Sequence, residues 1–118
     1  MHNSLRIKEQ LLYIYKARFI KATVDGIDVY LDLGFYMYIK QRVKLFGITI
    51  NSDKQKEAIE HITNTLHTYD FFVETLTSKR GKVGRCLGNI LVQKTDKREN
   101  IAQELIEKGL AEKFNTSE

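Results

Sequence analysis

Met37 to Ile48 is the clearest alternation in the chain: Met37, Ile39, Gln41, Val43 and Leu45 fall on one side, and Tyr38, Lys40, Arg42 and Lys44 on the other. A period of two belongs to a strand with one face buried, and a helix cannot use it. The two stretches before it read the same way. Between Leu11 and Val24, the residues Leu12, Ile14, Ala17, Phe19, Ile20 and Val24 are interleaved with Lys and Arg, in a segment rich in β-branched and aromatic types. Between Asp28 and Phe35, Val29, Leu31 and Leu33 oppose Tyr30 and Asp32. Asp25-Gly26 and Gly34 punctuate the three runs as turns, where glycine accepts a positive φ.

The period then changes. Asn51, Ser52 and Asp53 offer capping oxygens, and Ala58, Ile59, Ile62 and Leu66 recur at helical spacing within 54–67. Asp70 to Thr77 returns to strand character with Phe71, Phe72, Val73 and Leu76. After a basic loop, 79–85, Cys86 to Gln93 reads as a further strand. A final helix is expected over 100–108, with Ile101, Ala102, Leu105 and Ile106 on one stripe, Gly109 as its stop and Leu110 closing over the end. Three strands, a helix, two strands and a helix suit an α+β, mainly β fold: a five-stranded OB-type barrel with one helix after the third strand and a second helix at the C-terminus.

A chain of 118 residues without Pro, with seven scattered Gly and no repeat, is expected to form one domain over 11–114, preceded by a polar segment 1–10 and followed by a fraying tail 115–118. The lone Cys86 sits in an apolar run and reads as a structural thiol. No signal-peptide pattern and no membrane-length apolar run occurs, so a soluble, cytoplasmic protein with no membrane partner is expected. The net charge of +4 permits a nucleic-acid partner without requiring one. Lys79, Arg80, Lys82 and Arg85 concentrate positive charge in one loop, and Arg42 and Lys44 in one strand. Tyr13, Tyr15, Phe35, Tyr36 and Tyr38 lie among basic residues, where they either stack on bases or pack on the barrel. His2, His61 and His67 show no metal-ligand spacing and read as surface histidines.

Three segments resemble the staphylococcal nuclease family. Ile20 to Val29, with Asp25-Gly26-Ile27-Asp28, is similar to the family's Asp-Gly-Asp-Thr turn and its flanking strands. Val43-Lys44-Leu45-Phe46-Gly47-Ile48-Thr49 is similar to Val-Arg-Leu-x-Gly-Ile-Asp. Gly81-Lys82-Val83-Gly84-Arg85 and Leu105-Ile106-Glu107-Lys108-Gly109-Leu110-Ala111 are similar to Asp-Lys-Tyr-Gly-Arg and Leu-Val-x-x-Gly-Leu-Ala.

The resemblance implies phosphodiester hydrolysis with a bound calcium ion, a carboxylate near the attacking water and two arginines on the phosphate. A hard cation needs several oxygen ligands, and bidentate guanidinium groups stabilise charge gathering on phosphate oxygens. Matched position by position, the metal-ligand carboxylates fall on Ile27 and Thr49, the general base on Ser52, and the arginines on Lys44 and Arg85. Only Arg85 keeps the family's residue, and Asp25 keeps the first Asp of the turn. Asp28 and Asp53 each lie one residue beyond a lost carboxylate, but a slip of one residue on a strand turns a side chain to the other face. The family's nucleotide-stacking tyrosines fall on Asn115 and Ser117, and its last helix would follow Glu118, so the chain reads as shortened as well as catalytically degenerate.

The expected function is therefore a non-catalytic nucleic-acid-binding module, DNA or RNA, contacting phosphates through Arg42, Lys44, Lys79, Arg80, Lys82 and Arg85, with no metal or small-molecule cofactor. Two alternatives stay open. One is a protein-interaction or inhibitory module that uses the barrel as a platform. The other is a divalent-metal-dependent nuclease with a rearranged site, which would need calcium.

Overall fold

The computed structural model describes residues 12–76 and 85–113, with side chains for 13–75 and 86–113. The polar segment 1–10, the loop residues Lys79, Arg80 and Lys82, and the tail 115–118 lie outside the described residues. Strands β1 (Leu12–Thr23), β2 (Gly26–Gly34) and β3 (Met37–Leu45) form an antiparallel meander, as their alternation requires. There follow β4 (Ile48–Ile50), a 3-10 turn at Ser52–Lys54, α1 (Gln55–Thr68), β5 (Phe71–Leu76) and β6 (Arg85–Gln93). The described chain ends with β7 (Arg98–Asn100), α2 (Ile101–Glu107) and β8 (Ala111–Lys113).

Closure comes from β6. It pairs antiparallel with β5, β5 pairs with the first half of β1, and β6 also runs parallel to β3 from Arg42 opposite Arg85 to Leu45 opposite Gly88. The five strands β1, β2, β3, β6 and β5 thus close into a barrel of the OB type, with β7 along β6 and β4 paired to β8 outside it. Closing removes sheet edges that would otherwise pair with other chains. Val29, Val43, Val73, Ile90 and Val92 point inward and are fully buried. Ala58, Ile62 and Leu66 of α1 and Ile101 and Leu105 of α2 pack on the same core.

Local chemistry sets the helix ends. At α2, the Asn100 side chain accepts a hydrogen bond from the Ala102 amide at 2.8 Å, a standard N-cap. Gly109, at φ 75°, donates to the Ile106 carbonyl at 3.0 Å, and Leu110 donates to the Leu105 carbonyl at 2.9 Å. These two bonds make a Schellman motif, closed by the buried contact of Leu110 with the core. At α1 the expected cap is not made: no side chain caps either the 3-10 turn or the helix. Asn51 instead donates its amide Nδ2 to the Gly109 carbonyl at 3.1 Å and its backbone N–H to Leu110 at 3.0 Å, tying the start of α1 to the end of α2.

Two further readings need correction. The tight turn after β1 is centred on Val24-Asp25, with Gly26 already in β2, and the Thr23 hydroxyl accepts from the Asp25 amide at 3.1 Å. The apolar side of β3 is buried only at Val43 and Leu45, while Met37 and Ile39 are exposed, as is Leu33 on β2. The reason is topological. β1 follows β2 only as far as Ala17 opposite Leu31 and there passes to β5, and β6 reaches β3 only at Arg42. Among the described residues, 32–38 pair only with one another, as a two-stranded ribbon standing off the barrel.

At the ribbon's tip Phe35 and Tyr36 adopt φ 54° and 62°, left-handed at both central positions as a type I′ turn demands. They are 94% and 97% exposed. Bulky residues are costly in this conformation, and no burial offsets that cost here.

Replacing Phe35→Asn together with Tyr36→Gly should therefore raise stability by about 1–2 kcal/mol, measured by urea denaturation. In the closing strand, a Cβ at Gly88 would lie 2.7 Å from the Glu74 carbonyl oxygen. Gly88→Ala should lower stability by about 1–3 kcal/mol in the same measurement.

Candidate nucleic-acid interface

A cleft of about 490 Å³ opens between the β1–β2 turn (Thr23 to Ile27) and the β3–β4 connection (Val43 to Ile50), with Gln55 and Ile62 of α1 and Leu87 of β6 completing its wall. The two motif segments singled out in the sequence thus converge, although they are far apart along the chain. Asp25, Ile27, Lys44 and Thr49 all line the cleft. Lys44 and Thr49 are exposed, and Ile27 belongs to the core with 2% of its surface accessible. Ser52 is exposed in the 3-10 turn and does not line the cleft. The backbone of Arg85 lies opposite Arg42, and Leu87, two positions on, lies opposite Lys44.

Arg42 has a partner that the sequence did not reveal. Its Nε donates to Asp28 Oδ1 at 2.7 Å and its Nη2 to Oδ2 at 3.2 Å, a two-pronged pair between neighbouring strands. Asp28 is buried beneath it. The hydrogen bond from Arg42, opposed by burial and reinforced by the charges of Arg42, Lys21 and Lys40, holds the Asp28 carboxyl below the usual carboxylate range. The bond to Asp28 raises the Arg42 guanidinium correspondingly. The pair is formally neutral, so the net positive charge on this side of β3 comes from Lys40 and Lys44.

The family resemblance implies calcium, and the residues present do not fit it. Calcium takes six to eight oxygen ligands, several of them carboxylate. Of the described residues lining the cleft, Asp25 alone carries a carboxylate, and Ile27 fills its position with hydrocarbon. Asp28 is committed to Arg42, and Asp53, in the first turn beyond Asn51, does not line the cleft. Among the described residues no group of three or more His, Cys, Asp or Glu is placed to hold a metal.

Other singled-out residues find structural places. His61 is not a free surface histidine: its Nε2 lies 3.1 Å from Glu104 Oε1, joining α1 to α2. His67 meets Phe19 edge-on at 5.0 Å between ring centres. Cys86 packs against the core, and burial pushes its thiol up, consistent with a structural role. Tyr15 packs against the core, whereas Tyr13, Phe35, Tyr36 and Tyr38 are exposed. No described helix is long and apolar enough to cross a membrane.

Because the folded-state pKa of Asp28 is depressed, its contribution to stability is present above the ordinary carboxylate pKa and is lost as pH falls through the folded value. Asp28→Asn should therefore be less stable than the parent at pH 7, and the gap should close on acidification below about pH 4. Thermal melts across pH read this directly.

The chain matches none of the curated proteins compared with it. A family model described as staphylococcal nuclease homologue matches residues 42–118, from the second half of β3 onward and more than half of the chain. With the closed barrel, the two helices and the converged motif positions, this match makes the chain a member of the staphylococcal nuclease homologue family.

Proposed function

We propose that this domain binds nucleic acid at the rim of the family's cleft and does not hydrolyse it. One observation carries the reading: the cleft keeps a cation, Lys44, on its rim, while the positions matching the metal ligands are Ile27 and Thr49. β6 starts at Arg85, directly opposite Arg42, so the sequence stretch holding Lys79, Arg80 and Lys82 leads into the strand beside that rim. Phosphate binding asks only for positive charge in the right place, whereas hydrolysis here also asks for an ion and a positioned water. Lys44 in place of arginine fits this division: it supplies a point charge without the two-pronged geometry that stabilises a transition state.

A second reading is favoured by one feature, the ribbon tip, where Leu33, Phe35, Tyr36, Met37 and Ile39 are exposed together. Apolar side chains gathered in this way mark docking surfaces more often than scattered ones do. A protein-interaction or inhibitory role would use this tip and would be insensitive to salt.

Fluorescence anisotropy with labelled DNA and RNA at several salt concentrations separates the two. The nucleic-acid reading predicts an affinity that falls steeply with salt, and a log–log slope that shrinks by about one for each of Lys44→Ala and Arg85→Ala. A salt-independent affinity, or none, would sink it.

A further inference from the structure

The outer face of the β1–β2–β3 sheet carries a pattern that the cleft does not explain. Strand register places Arg18 opposite Tyr30 and Tyr30 opposite Lys40, a row of cation, aromatic and cation across three strands. One step toward the ribbon, Asp32 stands opposite Tyr38, so the two tyrosines are diagonal neighbours, roughly 7–8 Å apart at the backbone. One step toward the cleft lies the row Lys21, Asp28, Arg42. Tyr30 and Tyr38 remain 44% and 42% exposed. The Arg18 guanidinium sits 5.3 Å from the Tyr38 ring centre, a cation–π contact that joins β1 to β3.

The face is positive as well as aromatic. Among the described residues Lys16, Arg18, Lys21, Lys40 and Lys44 make no salt bridge. Of the acids there, Asp28 is neutralised by Arg42, and Asp32 accepts a hydrogen bond from the Gly34 amide at 2.8 Å. Lys40, Arg42 and Lys44 alternate along one side of β3, so the strip reaches from the tyrosines to the rim of the cleft, with the neutral Asp28–Arg42 pair between its two lysines.

We propose that this face binds single-stranded nucleic acid, with bases stacking on Tyr30 and Tyr38 and phosphates held by Arg18, Lys21 and Lys40. The inference rests on the nucleic-acid reading above and names both the kind of strand and a surface outside the cleft. Charge complementarity selects a polyanion, and the exposed rings select one with unpaired bases. A duplex keeps its base faces stacked on one another, whereas a single strand can lay them on an aromatic ring. An acidic protein would satisfy the cations but leave the alternation of ring and charge across the register without a purpose.

The test compares the parent chain with Tyr30→Ala/Tyr38→Ala, Tyr30→Phe/Tyr38→Phe and Lys44→Ala, using labelled oligothymidine and a duplex of equal length at one salt concentration. The alanine pair should lose roughly tenfold or more of its single-strand affinity while duplex affinity changes by less than about twofold. The phenylalanine pair, which keeps the rings, should bind like the parent, and Lys44→Ala should weaken both ligands. Equal single-strand binding by the alanine pair and the parent would overturn this inference while leaving the cleft reading standing. So would a loss in the phenylalanine pair as large as in the alanine pair. Failure of the parent to bind either nucleic acid, with sedimentation on anionic phospholipid vesicles instead, would overturn both readings.

Discussion

The parallel pairing of β3 with β6 is the contact on which the rest of this molecule depends. Without it the five strands are an open sheet with two bare edges; with it they form a barrel whose interior holds Val43 and Ile90 out of water. The pairing is short, from Arg42–Arg85 to Leu45–Gly88, and is extended by the Phe46 amide donating to the Gly88 carbonyl at 3.0 Å. Gly88 makes it possible, because the Glu74 carbonyl on the opposite side leaves no room for a Cβ. The same closure shapes the cleft. It sets the strand of Lys44 beside the strand that begins at Arg85, and it forms the wall of the cleft with Leu87.

Position 27 shows what the core asks of a residue at the edge of the cleft. In β2 the inward side chains Ile27, Val29 and Leu31 belong to one buried row. A carboxylate at 27 would have to be desolvated beside that row, which is costly unless an ion or a hydrogen bond compensates. Isoleucine removes the cost and adds to the core. It also offers the cleft no oxygen for an ion, so core stability and metal affinity would make opposite demands on this position. Charge on the rim is under no such conflict, since Lys44 is exposed.

Much of the fold is legible in the residues because its determinants are local. The apolar stripe of α2, the Gly109–Leu110 stop and the inward row of β2 each follow from side chains within a few positions of one another. The strands β4, β7 and β8 are three residues each, too short to display a period, and exist only through their partners. Alternation along β3 gives the side on which Met37 and Ile39 lie, but whether anything covers that side depends on how far β1 and β6 extend beside the ribbon. The Asp28–Arg42 pair is likewise a property of register, joining residues fourteen apart. At the site, Ile27, Lys44 and Thr49 were legible because they travel with recognisable neighbours. Tyr30 carried a weaker sign, its outward position opposite Val29, whose meaning emerges only once Arg18 and Lys40 are seen flanking it.

On the reading proposed above, the cleft lacks the oxygens needed for an ion and keeps charge for a phosphate. Calcium titration in the presence of an end-labelled strand, with heat of binding and strand length followed together, tests it most directly. The expected result is no saturable calcium uptake and an intact strand at every metal concentration. Saturable uptake accompanied by cleavage, with cleavage abolished by Arg85→Ala, would contradict it.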